Sequence, residues 1–197
     1  SLSGFVTGQG ATVTQTVGSF NTVAVGAGKT VTATLGAGDF SANAGTLLSN
    51  YTLPTLASGA IGTITAKSLT LSGVTAALKV YDGTTAATLG PGSLVGVVSG
   101  DTVSLTQGSG SFANANVGAA KAVTASGFAI SGIDVGNYTL AAQPTGLAAD
   151  IPARPVTVTG VSVTRVYDGT TGAAGSVQIA AAGTGTGLVA GETLSGL

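Results

Sequence analysis

The sequence predicts an all-β protein made of tandem antiparallel β modules, sandwich or β-grasp-like beads in a repeat array. Three observations carry this. Apolar residues alternate with hydroxylated ones, glycine-bearing turns recur roughly every 8–12 residues as in antiparallel β modules, and one block of sequence occurs twice. Alternation appears first at 11–17 (Ala-Thr-Val-Thr-Gln-Thr-Val) and 30–35 (Thr-Val-Thr-Ala-Thr-Leu), then at 68–71, 102–106 and 156–159. A period of two makes one face of a strand apolar and the other hydroxylated, and β-branched Val and Thr suit a pleated surface. The Ala-rich stretch 178–190 fits strand or helix equally. A β-solenoid is the alternative architecture, but its rungs recur about every 20–30 residues, and no such short period is present.

The repeat sets the domain organisation. Val80-Tyr81-Asp82-Gly83-Thr84-Thr85 returns as residues 166–171, 86 positions later. Asn50-Tyr51-Thr52-Leu53 matches Asn137-Tyr138-Thr139-Leu140 at an offset of 87, as 67–74 matches 154–161; residues 1–8 lie over 93–100, and Phe20 over Phe112, at 92. The wider offset places extra residues between Lys29 and Asn50, most simply in a loop. With boundaries near Lys67 and Arg154, residues 67–153 form one complete module. Residues 1–66 are then the C-terminal part of a module, and 154–197 the N-terminal part of another. Neither part has enough chain to close a core alone. The expectation is a window from a longer chain, or half-modules completed by strand pairing between copies.

Composition narrows the chemistry. The 197 residues include no Cys, His, Met or Trp, which removes thiol and imidazole chemistry, disulfides and Cys or His metal sites. Six basic and seven acidic side chains offer no basic stripe for nucleic acid. No uninterrupted run approaches the roughly 20 apolar residues of a membrane helix. Without histidine, acid–base work would fall to scattered Asp or the lone Glu192, and the repeat copies a turn rather than a carboxylate pair. No Lys, Asn and acid spacing marks an isopeptide crosslink. The chain is therefore read as a non-enzyme with no cofactor and no metal.

The order of motifs is more specific. Residues 79–85 (Lys-Val-Tyr-Asp-Gly-Thr-Thr), 100–103 (Gly-Asp-Thr-Val), 112–118 (Phe-Ala-Asn-Ala-Asn-Val-Gly) and 136–140 (Gly-Asn-Tyr-Thr-Leu) follow one another. In this the chain resembles the YDG-type repeats of very large bacterial surface adhesins and filamentous haemagglutinin-like exoproteins. Departures are Arg165 for Lys79, Gln9 for Asp101 and Ser49 for Gly136. The resemblance implies a secreted, extracellular, tandemly repeated protein of the bacterial cell surface, and carries over no activity and no ligand.

Two sets of residues are singled out. Tyr81, Asp82 and Gly83, with Tyr167, Asp168 and Gly169, form the copied turn. Glycine supplies positive φ, aspartate accepts from the following amides, and tyrosine anchors the turn to the core. A carboxylate ligand for Ca2+ is the competing role, but the acidic residues, Asp134 near Asn137 included, do not cluster into the six or more oxygens Ca2+ takes. Asn50 and Asn137 begin Asn-x-Thr triplets and are possible glycosylation sites; a turn Asn followed by an inward Tyr explains them equally.

Three functions compete. The first is a structural repeat of a bacterial extracellular filament or adhesin stalk, with other copies or neighbouring repeats as partner. The second is a ligand-binding adhesin module recognising host or neighbouring-cell glycans or proteins. The third, an ice-contacting row of Thr, needs a far shorter period than 86 residues. The stalk is preferred, because a Thr, Ser and Gly surface packs against neighbours without burying ions. Self-assembly and a place in biofilm follow from it as expectations.

Overall fold

A computed structural model describes residues 2–160, 162–175, 177–179 and 183–194. The described residues are all-β, with several small antiparallel sheets and single turns of 3-10 helix. Of the five alternating stretches named above, 68–71 lies wholly in strand and 30–35 all but its last residue, whereas 11–17, 102–106 and 156–159 are strand only at 11–13, 104–106 and 158–159. Part of the ambiguous 178–190 stretch is strand, and 180–182 lie outside the described residues. The chain divides into two compact units, Ser1–Lys67 with Gly136–Thr139, and Ser68–Val135 with Leu140–Leu197.

In the first unit β1 (Ala11–Val13) is followed by β2 (Ser19–Phe20), β3 (Gly26–Thr34), β4 (Phe40–Ala42) and β5 (Leu56–Ile64). β1 pairs with β4, Val13 opposite Phe40, while β2, β3 and β5 make a three-stranded sheet with β3 central. Phe20 faces Val31 across that sheet and leans over Gly62, where a Cβ would meet its ring. Few side chains are buried here, chiefly Leu35 and Phe40, and Phe20 stays 45% exposed.

The second unit carries the better core. Its strands are β6 (Lys67–Ser72, which begins at the boundary), β7 (Ala86–Ala87), β8 (Ser93–Val95), β9 (Ser104–Thr106), β10 (Ser109–Phe112), β11 (Gly118–Ser126) and β12 (Ala129–Ser131). β13 (Tyr138–Leu140), whose first two residues belong to the first unit, precedes β14 (Leu147–Ile151), β15 (Val158–Gly160) and β16 (Val177–Ile179). The main sheet runs β14-β11-β10-β7; β6 pairs with β8, β9 with β12, and β15 with β16. Beyond β13, the Ala141 N–H donates to the Leu69 carbonyl at 2.8 Å.

Alternation decides which face is inside. Along β11, Val123 and Ala125 are buried while Ala122, Thr124 and Ser126 are exposed; along β14, Ala149 and Ile151 are buried while Ala148 and Asp150 are exposed. Phe112, Val123, Ala149 and Ile151 form one cluster, with Ala76, Tyr81, Ala87, Leu89 and Leu147 packed on it. Each large side chain removed from water in this way contributes about 1.5–3 kcal/mol.

The cluster joins the front of the domain to its end. The Lys79 N–H donates to the Asp150 carbonyl at 3.2 Å and the Tyr81 N–H to the Pro152 carbonyl at 3.0 Å. Both partners advance by two residues together, so 79–81 and 150–152 run parallel. Together with the Phe112 N–H on the Thr85 carbonyl at 2.7 Å and the β7–β10 ladder, this parallel contact brings the Asp-Gly turn against the main sheet. On the other edge of β14, the ladder with β11 shifts register between Gly118 and Lys121. Ala120 takes φ 47°, held by an N–H bond to Asp150 Oδ1 at 2.7 Å. The position 92 residues earlier is Gly28, at φ 65°.

Two kinds of stability change follow, from truncating apolar side chains and from relieving a left-handed φ. Phe112→Ala is expected to cost about 3–5 kcal/mol, and Phe20→Ala about 1–2 kcal/mol because half of that ring is already in water. Ala120→Gly is expected to stabilise by about 1 kcal/mol, since a left-handed φ strains alanine and not glycine. Urea unfolding of the three variants against the parent checks both; an unaltered midpoint for Phe112→Ala would contradict the core assignment.

Candidate functional site

The copied turn is the most densely bonded part of the surface. Gly83 supplies φ 77°, a conformation that would cost alanine about 1–2 kcal/mol. Asp82 Oδ1 accepts from the Thr84 N–H at 2.8 Å, from the Thr84 hydroxyl at 2.9 Å and from Lys79 Nζ at 2.8 Å. Lys79 Nζ also donates to the Thr84 carbonyl at 2.7 Å and to Thr84 Oγ1 at 2.9 Å. The same ammonium sits 5.7 Å from the centre of the Phe112 ring, a cation–π contact that ties the turn to the core.

The second copy rebuilds the circuit with a different cation. Gly169 has φ 76°. Asp168 Oδ1 accepts from the Thr170 N–H at 3.0 Å and its hydroxyl at 2.9 Å. Arg165 Nη1 donates to Asp168 Oδ2 at 2.7 Å and to Thr170 Oγ1 at 2.8 Å, and Nη2 to the Thr170 carbonyl. The guanidinium thus spreads over two nitrogens the contacts that Lys79 makes with one.

The two tyrosines part company. Tyr81 is half-buried against the cluster, and its hydroxyl donates to Glu192 Oε1. Tyr167 is 92% exposed. The anchoring expected of both is met only at Tyr81. The physical reason is local: the carbonyls at 150 and 152 and the Ile151 side chain that receive the Tyr81 stretch have no equivalent against Tyr167 among the described residues.

Electrostatics follow the bonds. The Lys79 ammonium and then the Thr84 amide hold the Asp82 carboxyl down to about 2. Asp168 is lowered too, first by the Thr170 amide, then by its hydroxyl, with Arg165 adding to both. The bond to Glu192, then burial and the negative charges of Glu192 and Asp82, push Tyr81 up.

Asn50 is exposed at the end of the 3-10 turn Leu48–Asn50. The next residue, Tyr51, stacks on Phe5 with ring centres 4.6 Å apart. Asn137 is half-buried, its Oδ1 accepting from the Val25 N–H at 2.9 Å, and Tyr138 beside it is buried. Of the two triplets, Asn50 alone presents a solvent-facing amide. Asp134 accepts from the Thr102 N–H at 2.7 Å. Among the described residues no three His, Cys, Asp or Glu side chains gather as a metal would require, and no helix is long and apolar enough to cross a membrane.

Two participants were not singled out from the sequence. Glu192 meets Tyr81, and Arg154 clasps the 183–187 loop through the Gly187, Gly183 and Thr186 carbonyls at 2.6, 2.5 and 2.7 Å. As the only glutamate, Glu192 was visible as unusual; its partner, 111 residues away, was not.

The site is a bonded turn set on a small β domain. Residues 65–146 match the YDG domain family and form a YDG domain. No curated protein and no solved structure matches the chain.

Acid should loosen this turn. The carboxyl of Asp82 lies at about 2 when folded against an ordinary 3.8, so its contribution is intact above about pH 4 and is lost as pH falls through about 2. Asp82→Ala removes three accepted bonds and is expected to destabilise by about 1–2 kcal/mol and to flatten the acid limb of the stability profile. Gly83→Ala should cost a similar amount, about 1–2 kcal/mol. Urea midpoints at pH 7 and pH 2.5 check both, and an Asp82→Ala profile that keeps the parent's acid limb would show that the limb arises elsewhere.

Proposed function

We propose that this chain is a structural repeat of a bacterial extracellular filament or adhesin stalk, whose modules hold other parts of the assembly at a distance. The observation that supports it best is the fate of the most strongly repeated segment. In both copies 79–84 and 165–170 spend their polar groups on each other: the carboxylate, the cation and the threonine form a closed set of bonds around a left-handed glycine. A segment retained for ligand chemistry would leave some of these groups pointing outward. The YDG domain at 65–146 and the motif order shared with surface-adhesin repeats agree with this reading. So does the low charge of the chain, which lets modules lie side by side without stranding ions at their contacts.

Two measurements test it. Antibodies against the purified chain should label the outside of intact cells of the source bacterium. The chain should also give no saturable signal on a glycan array. Labelling confined to the cell interior would remove the extracellular stalk, and a reproducible, saturable sugar signal would replace it with the ligand-binding adhesin.

A further inference from the structure

In the complete module, residues 67–153, one core is made from two halves. The front half carries the turn and supplies Ala76, Tyr81, Ala87 and Leu89; the back half supplies Phe112, Val123, Ala149 and Ile151. Each half occurs once more in the chain. Residues 154–194 repeat the front: β15 sets Val158 opposite Ile179 as β6 sets Leu71 opposite Leu94, and the turn at 165–170 has the bonds of 79–84. The sheet β2-β3-β5 repeats the back: Phe20 lies opposite Val31 as Phe112 lies opposite Val123, 92 residues on, and Ile64 stands 87 residues before Ile151.

What is closed in the domain is open in these halves. Phe112 is 2% exposed and Phe20 45%. Tyr81 is half-buried and Tyr167 92% exposed; Ile151 is fully buried and Ile64 half-buried. An apolar groove lined by Val31, Ala33, Ala57, Gly59 and Ile61 runs beside β3 and β5. It lies on the Phe20 face, since directly paired residues share a face. Among the described residues neither the Arg165 nor the Tyr167 amide donates to a backbone carbonyl, whereas those of Lys79 and Tyr81 do.

The geometry points to a docking site: β2-β3-β5 of one copy receives residues 162–175 of a second copy of this chain. This deepens the repeat-module reading, on which it rests, by naming the partner. The complete domain fixes the register. The Arg165 N–H meets the Thr63 carbonyl and the Tyr167 N–H the Thr65 carbonyl, in parallel, as Lys79 and Tyr81 meet Asp150 and Pro152. The Phe20 N–H meets the Thr171 carbonyl, as Phe112 meets Thr85, and Gly172 lies opposite Ser19, as Ala86 lies opposite Ser111. Donor and acceptor surfaces differ, so the contact is head-to-tail and leaves an open end for a further copy. Gly175 stands where the domain has Leu89. Losing that half-buried leucine weakens such a contact roughly 3- to 10-fold, which moves association toward high protein concentration.

Sedimentation velocity of the 197-residue chain is expected to show an open-ended series of species growing with concentration up to about 1 mM. Tyr167→Pro removes both the ring and the amide donor, and should leave a monomer with the parent's circular dichroism, while Tyr167→Phe should still associate. The chain has no cysteine, so Ser19→Cys with Gly172→Cys offers one clean pair at the spacing of opposed antiparallel residues. It should give a ladder of disulfide-linked copies on a non-reducing gel, and Ser19→Cys with Ala174→Cys should not. A parent that stays monomeric at about 1 mM, association untouched by Tyr167→Pro, or a 19–172 bridge formed within single copies would each overturn the docking. None of these readouts depends on glycan binding or cell-surface labelling, so a failure here leaves the stalk reading to its own tests.

Discussion

The second unit depends on one closure, residues 79–81 laid in parallel on residues 150–152 just past the matched YDG segment. Two amide bonds, from Lys79 to Asp150 and from Tyr81 to Pro152, seat the turn on the sheet that contains Phe112, Val123, Ala149 and Ile151. The antiparallel pairing of β7 with β10, Ala86 opposite Ser111, and the Phe112 amide on the Thr85 carbonyl reinforce it from the other edge of the main sheet. Tyr81 is half-buried where this closure is made, and Tyr167 stands in water where it is not. The same six residues thus read as core or as surface depending on what lies against them.

Low charge gives the few ions present a large role. The salt bridges among the described residues, Lys79 with Asp82 and Arg165 with Asp168, are three residues apart and lie at the turn in both copies. Exposed pairs of this kind add little by themselves. Here each also satisfies a turn amide and a hydroxyl, and the Lys79 head reaches the face of Phe112. The turn therefore couples polar surface to apolar core through a single ammonium.

Much of the architecture was legible in the sequence. Period-two alternation marks β6 with its buried Leu69, whereas β11 and β14, which bury Val123, Ala125, Ala149 and Ile151, were not among the alternating stretches singled out. Asp-Gly reveals the turn, since few residues accept a left-handed φ. The parallel closure was not legible: Pro152 interrupts a strand pattern, and nothing local announces that its carbonyl accepts from an amide 71 residues earlier. Glu192 and Arg154 escaped for the same reason, their partners being distant backbone or a hydroxyl rather than an opposite charge. Residues 165–171 also look equivalent to 79–85 in sequence, and only the structure separates a seated turn from an unseated one.

The closure also shapes how the chain finds its fold. Residue 81 waits for residue 152, while a sister of that acceptor, residue 65, has already been made only 16 positions before it. By loop-closure entropy alone the nearer strand is favoured by about 1.3 kcal/mol. Fidelity then falls to side chains and connection geometry, with Ala149 and Ile151 offering an apolar seat where the earlier strand offers Gly62 and Ile64. A tandem β chain of near-copies therefore offers one segment two acceptors, and the divergence between its repeats is what tells the later acceptor from the earlier.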